Sequence, residues 1–140
     1  MKIFFDTNVY ISEALLGETG GGAAKIITAC RRAKWRTYVS QYLLDEMARV
    51  LTEQLDFSKQ LANLTRRRAL SRSTLVQLRS TAQVPQDPKD GPILQAALSC
   101  GAGYLVTNDR HLLALDPFEG LRIVSMHDFF EVLKSHGHIS

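Results

Sequence analysis

The stretch Lys2-Ile3-Phe4-Phe5-Asp6-Thr7-Asn8-Val9-Tyr10 decides how the chain is read. Strand-favouring residues lead into an acid, then small polar residues, then an apolar helical run over Val9–Leu16. An acid at the C-terminal tip of a buried strand loses water on one side. On the other it gains the partial positive charge of the next helix N-terminus. Taken alone, Asp6 reads equally as the N-cap of that helix. The two readings separate only if other acids arrive at the same edge of the sheet.

Outward from that stretch, 140 residues make one domain, 1–140, large enough to bury a core without disulfides or metals as staples. Hydrophobic residues are 45% of the chain, which excludes general disorder. No apolar run approaches the roughly 18–20 residues needed to cross a bilayer, and the N-terminus reads as a strand rather than a signal peptide. Cys30 and Cys100 have no CxxC partner and fall in helical segments, as expected of reduced thiols in a cytoplasmic protein. The net charge of +3 permits a polyanionic partner without requiring one.

Apolar strands recur at Trp35–Val39, Tyr104–Thr107 and Arg122–Val124, each preceded and followed by helical patterning. Ser40 is placed to cap a helix from Gln41 to about Thr52, with Leu43, Leu44, Met47, Val50 and Leu51 as its apolar stripe. Within it Asp45 and Glu46 point about 100° apart and cannot share a role. Gly17–Gly22 joins two helices rather than a strand to a helix, so it reads as a flexible loop and not a phosphate cradle. The basic residues closing the helix Ala23–Ala33 suit its dipole. Phe57–Leu78 reads as two polar helices broken near Ser71-Arg72-Ser73. It carries Arg66, Arg67, Arg68 and Arg72, which read either as a solvated face or as a footprint for RNA phosphates or an acidic partner. A possible extended piece at Ala82–Val84 precedes the rigid loop Pro85–Pro92, then a helix Ile93–Ser99 with Asp90 at its N-terminus. Helices at Leu112–Leu115 and Met126–Ser135 follow, and the tail with His136 and His138 reads as frayed.

Strands alternating with helices predict an α/β fold, a three-layer α/β/α sandwich around a mainly parallel twisted sheet. Ligand sites in such sheets lie beyond the carboxyl ends of the strands, at the switch point of strand order. Asp6 and Asp109 fall at strand C-termini, Glu46 in the first turns of the helix after the second strand, and Asp90 before the helix leading to the third. All four can reach one edge of one sheet. Carboxylates converging without matched cations raise each other's pKa, and the usual resolution is a bound hard cation. Oxygen-only ligands select magnesium or manganese, which equip a site for phosphodiester hydrolysis.

These residues resemble the PIN domain family of magnesium-dependent ribonucleases, particularly its toxin-type (VapC-like) members. The resemblance runs through Phe5-Asp6-Thr7-Asn8-Val9, Ser40 to Glu46 with Val50-Leu51, Asp87-Pro88-Lys89-Asp90, and Ala102-Gly103-Tyr104-Leu105-Val106-Thr107-Asn108-Asp109. It implies Asp6, Glu46, Asp90 and Asp109 as catalytic acids, with Asp6, Asp90 and Asp109 holding Mg (or Mn). Thr7, Asn8 and Thr107 would support them, and Asp87 would brace the loop. It also implies an RNA substrate, a cognate antitoxin and a homodimer. The chain departs from the resemblance at Gly91, often a third acid, and at Asn108, often glycine. A phosphatase with an aspartyl nucleophile would want an acid where Asn8 stands. The alternative within the family is a non-catalytic RNA-binding or partner-binding module, which would be expected to have lost acids from the quartet.

Overall fold

The computed structural model describes residues 1–78 and 90–139. In chain order the elements are β1 (Lys2–Phe5), α1 (Thr7–Gly20), α2 (Gly22–Arg32), β2 (Arg36–Val39), α3 (Gln41–Glu53), α4 (Lys59–Ser71) and β3 (Thr74–Leu75). They continue with α5 (Asp90–Ser99), β4 (Tyr104–Val106), α6 (Arg110–Leu113), β5 (Arg122–Val124) and α7 (Met126–Ser135). The strands form one sheet in the order β3-β2-β1-β4-β5, every neighbouring pair parallel. The expected α/β architecture is therefore present.

Successive residues of a strand face opposite sides of a sheet. Ile3, Phe4 and Phe5 are all fully buried, so helices must cover both faces of β1. On one face the Phe5 ring meets Tyr10 of α1 and Phe129 of α7 edge-on, each with centroids 6.0 Å apart. Phe129 also packs against Trp35 and Tyr104, tying β2, β4 and α7 into one apolar cluster. Helix α3 buries Leu43, Leu44, Met47 and Leu51, four of the five residues of its expected stripe, while Val50 is half-buried. Ser40 caps it as read, its Oγ accepting from the Leu43 N–H at 3.1 Å. No helix among the described residues is long and apolar enough to cross a membrane.

Three expectations are corrected. The segment after Ser71 is not a second helix: Arg72 ends α4, and Thr74–Leu75 add a fifth strand at the edge beside β2. The glycine-rich stretch is not simply a loop, because α1 extends to Gly20 with a break at Gly17 (φ 66°, ψ −166°). The tail is not frayed: the His138 N–H donates to the Leu133 carbonyl at 2.9 Å, and both His136 and His138 rings stand edge-on to Trp35. Residues 82–84 and the loop as far as Lys89, with Asp87, lie outside the described residues.

Candidate active site

The chain runs β1, β2, β3 outward in one direction, then returns to place β4 on the other side of β1. Strand order thus reverses between β1 and β4, and the loops beyond their carboxyl ends form the crevice that this topology reserves for ligands. Asp6 follows β1 directly, and its N–H donates to the Val106 carbonyl at 2.9 Å, which ties the two strand tips together. Thr107, Asn108 and Asp109 follow β4.

Asp6 is 6% exposed. Its Oδ1 accepts from the Thr7 N–H and its Oδ2 from the Thr107 hydroxyl, both at 2.7 Å. It is therefore both the cap of α1 and a member of an acidic group, so the two readings of the sequence are not exclusive. Burial pushes its pKa from 3.8 up to about 6. The two hydrogen bonds pull it down, and the nearby Glu46 and Asp109 carboxylates push it further up. Fully buried Thr107 works in both directions: its Oγ1 donates to Asp6 and accepts from the Asp109 N–H at 3.0 Å. One hydroxyl so fixes the spacing of two acids. Asp109 in turn caps α6, its Oδ1 accepting from the His111 N–H at 2.8 Å. Asn108, where the resemblance led one to expect glycine, accepts from the Met126 N–H through its side-chain oxygen and anchors the start of α7.

Glu46 reaches the same place from α3. Its Oε2 accepts from the Tyr42 hydroxyl at 2.9 Å and lies 4.0 Å from Arg49 Nη2. Asp45 points away as its spacing required, toward Arg66 and Gln41. Asp6, Thr7, Asn8, Glu46, Arg49, Glu53 and Asp109 share the lining of one cleft of about 340 Å³, floored by Ile11, Ile93 and Leu112. The Thr7 Oγ1 is buried here without a hydrogen-bond partner among the described residues. Asp90 is the first residue of α5, whose Ile93 belongs to the cleft wall.

Among the described residues, every titratable group on that wall other than Arg49 is a carboxylate, and no His or Cys contributes. The donor set fits a hard divalent cation and not zinc. Among the described residues, no three acids, His or Cys stand at metal-ligand spacing, so the described acids need a further donor. Tyr42, Arg49 and Glu53 were not singled out from sequence. The signal that could have found the first two is their helical spacing of −4 and +3 from Glu46.

The arginine group is divided. Arg72 was expected to face RNA or a partner, but its guanidinium makes a bidentate pair with Glu13, 2.7 Å on both arms, with both side chains 10% exposed. That pairing removes Arg72 from the group and turns it into a clasp between α1 and the end of α4. Arg66 pairs with Asp45 at 3.3 Å, whereas Arg67 and Arg68 are exposed on α4.

The class these features define is a parallel α/β sheet with acids gathered at its switch point. Residues 2–111 match the family model of the PIN domain. The chain belongs to the PIN domain family. No curated protein matches the chain. Among solved structures it is similar to the crystal structure of VapBC2 from Rickettsia felis bound to a DNA fragment from their promoter. The sequence identity is 14%, the match covers 89% of this chain and 98% of that one, and the TM-score is 0.65, a likeness of fold.

Proposed function

We propose that the chain is a metal-dependent endoribonuclease, the toxin of a toxin–antitoxin pair. The observation that carries this reading is the Asp6 carboxylate. It is buried at the switch point beside Glu46 and Asp109, with its pKa raised and, among the described residues, no cation in hydrogen-bond contact with it. A carboxylate so placed is stabilised by a counter-charge. Asp6, Asp90 and Asp109 would hold Mg or Mn, beside the Thr7 hydroxyl, which has no hydrogen-bond partner among the described residues. A metal held there would supply a lowered pKa for an attacking water and positive charge against that growing on the phosphate.

The chain's own residues supply the rest. Thr107 holds Asp6 and Asp109 in register, and α6 fixes Asp109 by its N-terminal N–H groups. Tyr42 immobilises one oxygen of Glu46, leaving Oε1 to take a proton from the attacking water. Arg49 at the cleft rim is placed to meet a phosphate oxygen. Asn8, exposed on the first turn of α1, can donate to a ribose or phosphate oxygen. Arg67 and Arg68 extend the basic surface along α4.

The partner reading draws on the VapBC2 likeness and on a groove between α1 and α4 lined by Tyr10, Ala14, Gly17, Phe57, Leu61 and Leu64. Leu61 and Leu64 are 46% and 60% exposed, a surface suited to an apolar segment of an antitoxin. Pairing with a second copy of the chain is proposed as well, and sedimentation at micromolar concentration tests it. The test of the activity is cleavage of a panel of structured RNAs with magnesium, in chelator, and after magnesium is restored. Cleavage that stops and returns supports the assignment. A panel left intact in magnesium at high enzyme concentration favours a PIN-fold binding module without catalysis.

A further inference from the structure

Between Glu18 and Asp45 the chain carries Lys25, Arg31, Arg32, Lys34 and Arg36 and no acid. All five side chains are exposed. Among the described residues none of the five makes an ion pair. The helix dipole accounts for Arg31 and Arg32 in the last turn of α2, but Lys34 and Arg36 lie beyond the helix and Lys25 in its first half.

The fold gathers these charges along two open grooves that meet at Arg31. One, of about 710 Å³, runs between α2 and the tail and is lined by Lys25, Thr28, Arg31, Arg32, Phe130 and His138. The other, of about 340 Å³, continues past Lys34, Trp35 and Arg36 to Ser73 and Thr74. Among the described residues, neither lining contains an Asp or Glu. Two half-buried rings, Phe130 in the first groove and Trp35 in the second, interrupt the line of cations, and Trp35 is there held edge-on to His136 and His138. Cations in series with aromatic rings match a single strand, whose phosphates take the charges and whose bases take the rings.

Lys34 adds an independent observation. The α2 C-terminus closes with the Trp35 N–H donating to the Cys30 carbonyl and the Lys34 N–H to Arg31, so Lys34 sits at the position that favours glycine. Its φ is 59°, in the left-handed region. A charged side chain occupies a place where glycine is the less strained residue.

We propose that this α2–β2 surface is a docking track for the backbone of single-stranded RNA, separate from the acid cleft. Arg36 pairs in register with Lys2 at the start of β1, while Asp6 follows the end of that strand. The Arg36 end of the track therefore lies at the opposite end of the strands from Asp6, about 13 Å away along them. An RNA engaging both must wrap around the sheet, so the track selects long substrates over short ones. The choice of RNA rests on the proposed ribonuclease function; attraction of the surface for a polyanion does not.

Trp35 is the only tryptophan in the chain, which makes it a local reporter. The test titrates the protein in chelator, where no cleavage is expected, with an oligouridylate, following Trp35 emission and salt dependence. Saturable quenching of Trp35 is expected. Combining Arg31→Gln, Arg32→Gln, Lys34→Gly and Arg36→Gln should weaken binding at least tenfold and lower the log–log salt slope by about 2 or more, at roughly 0.7 per lost phosphate contact. Lys34→Gly alone should melt no lower than wild type yet bind more weakly, which separates charge from folding. RNA binding without any change in Trp35 emission, or an unaltered salt slope in the combined variant, overturns the proposal. So does polyglutamate quenching Trp35 as tightly as RNA of equal charge, which would assign the track to an acidic protein segment. Cleavage of a short oligonucleotide, measured beside these, reports on the acid cleft alone, so failure of the nuclease reading and failure of the track are distinguishable.

Discussion

Replacing Asp6 with Asn removes one charge from the acid cleft while keeping the side chain's shape. In the metal-free protein the Asp6 pKa stands at about 6 against 3.8. A carboxyl raised in this way contributes stability below about pH 4, and that contribution is lost as pH rises through 6. A rise of that size corresponds to about 3 kcal/mol of cost for holding the charge at neutral pH. Asn carries no such cost, and its oxygen can still accept from the Thr7 N–H. Its NH₂ group, however, faces the Thr107 hydroxyl, which already accepts from the Asp109 N–H. The hydroxyl proton then loses its acceptor, at about 1–2 kcal/mol. Asp6→Asn should therefore be roughly 1–2 kcal/mol more stable than wild type at pH 7 and less stable by a similar amount at pH 4. At pH 7 that is a rise of roughly 5 °C in melting temperature for a domain of this size. Urea melts of both proteins at pH 4, 5, 6 and 7 in chelator measure the difference directly, since other titrations cancel. A stability difference independent of pH would refute a raised Asp6 pKa.

Other perturbations probe the supports. Glu13→Gln leaves the Arg72 guanidinium without its bidentate partner in a mostly buried place, and should cost about 3 kcal/mol in a denaturant melt. Thr107→Val deletes the hydroxyl that lowers the Asp6 pKa. It should cost about 1–3 kcal/mol and move the pH-dependent part of the Asp6→Asn difference to higher pH. Tyr42→Phe frees the Glu46 carboxylate, so turnover should fall about tenfold while stability changes by no more than about 1 kcal/mol, read from single-turnover rates and melts. Replacing Arg67 and Arg68 with Gln should flatten the salt slope of RNA binding by about 1.4 if both contact phosphate, and an unchanged slope returns them to a solvated face.

Much of the site was legible because its signals are local. An apolar strand ending in an acid announces Asp6, and the same pattern at Tyr104–Asp109 announces its partner, so the sheet edge could be placed from two short stretches. Ser40 followed by the stripe of α3 fixed which face Glu46 occupies. What escaped depends on distant partners. Arg72 looks like one more member of a basic run until the fold brings Glu13, 59 positions away, against it. Strand β3 is two exposed residues held by the backbone of β2, with no periodicity to betray it. The histidine tail is ordered by Trp35, about a hundred residues earlier in the chain. The basic run of α2 had a sufficient local explanation in the helix dipole. Only the grooves on either side of Arg31 show that the charges continue past the helix end.

Our proposal of RNA hydrolysis rests on a metal held by the acids at the switch point. Its most direct test measures cleavage rate and the magnesium-induced melting shift together, for wild type and Asp6→Asn. Wild type should cleave only with Mg²⁺ or Mn²⁺ and gain stability as the metal is added, following RT ln(1 + [L]/Kd). Asp6→Asn should lose turnover by orders of magnitude and most of the melting shift, while still binding RNA. A variant that cleaves at the wild-type rate with an unchanged magnesium shift, or a wild type fully active in excess chelator, would contradict the account.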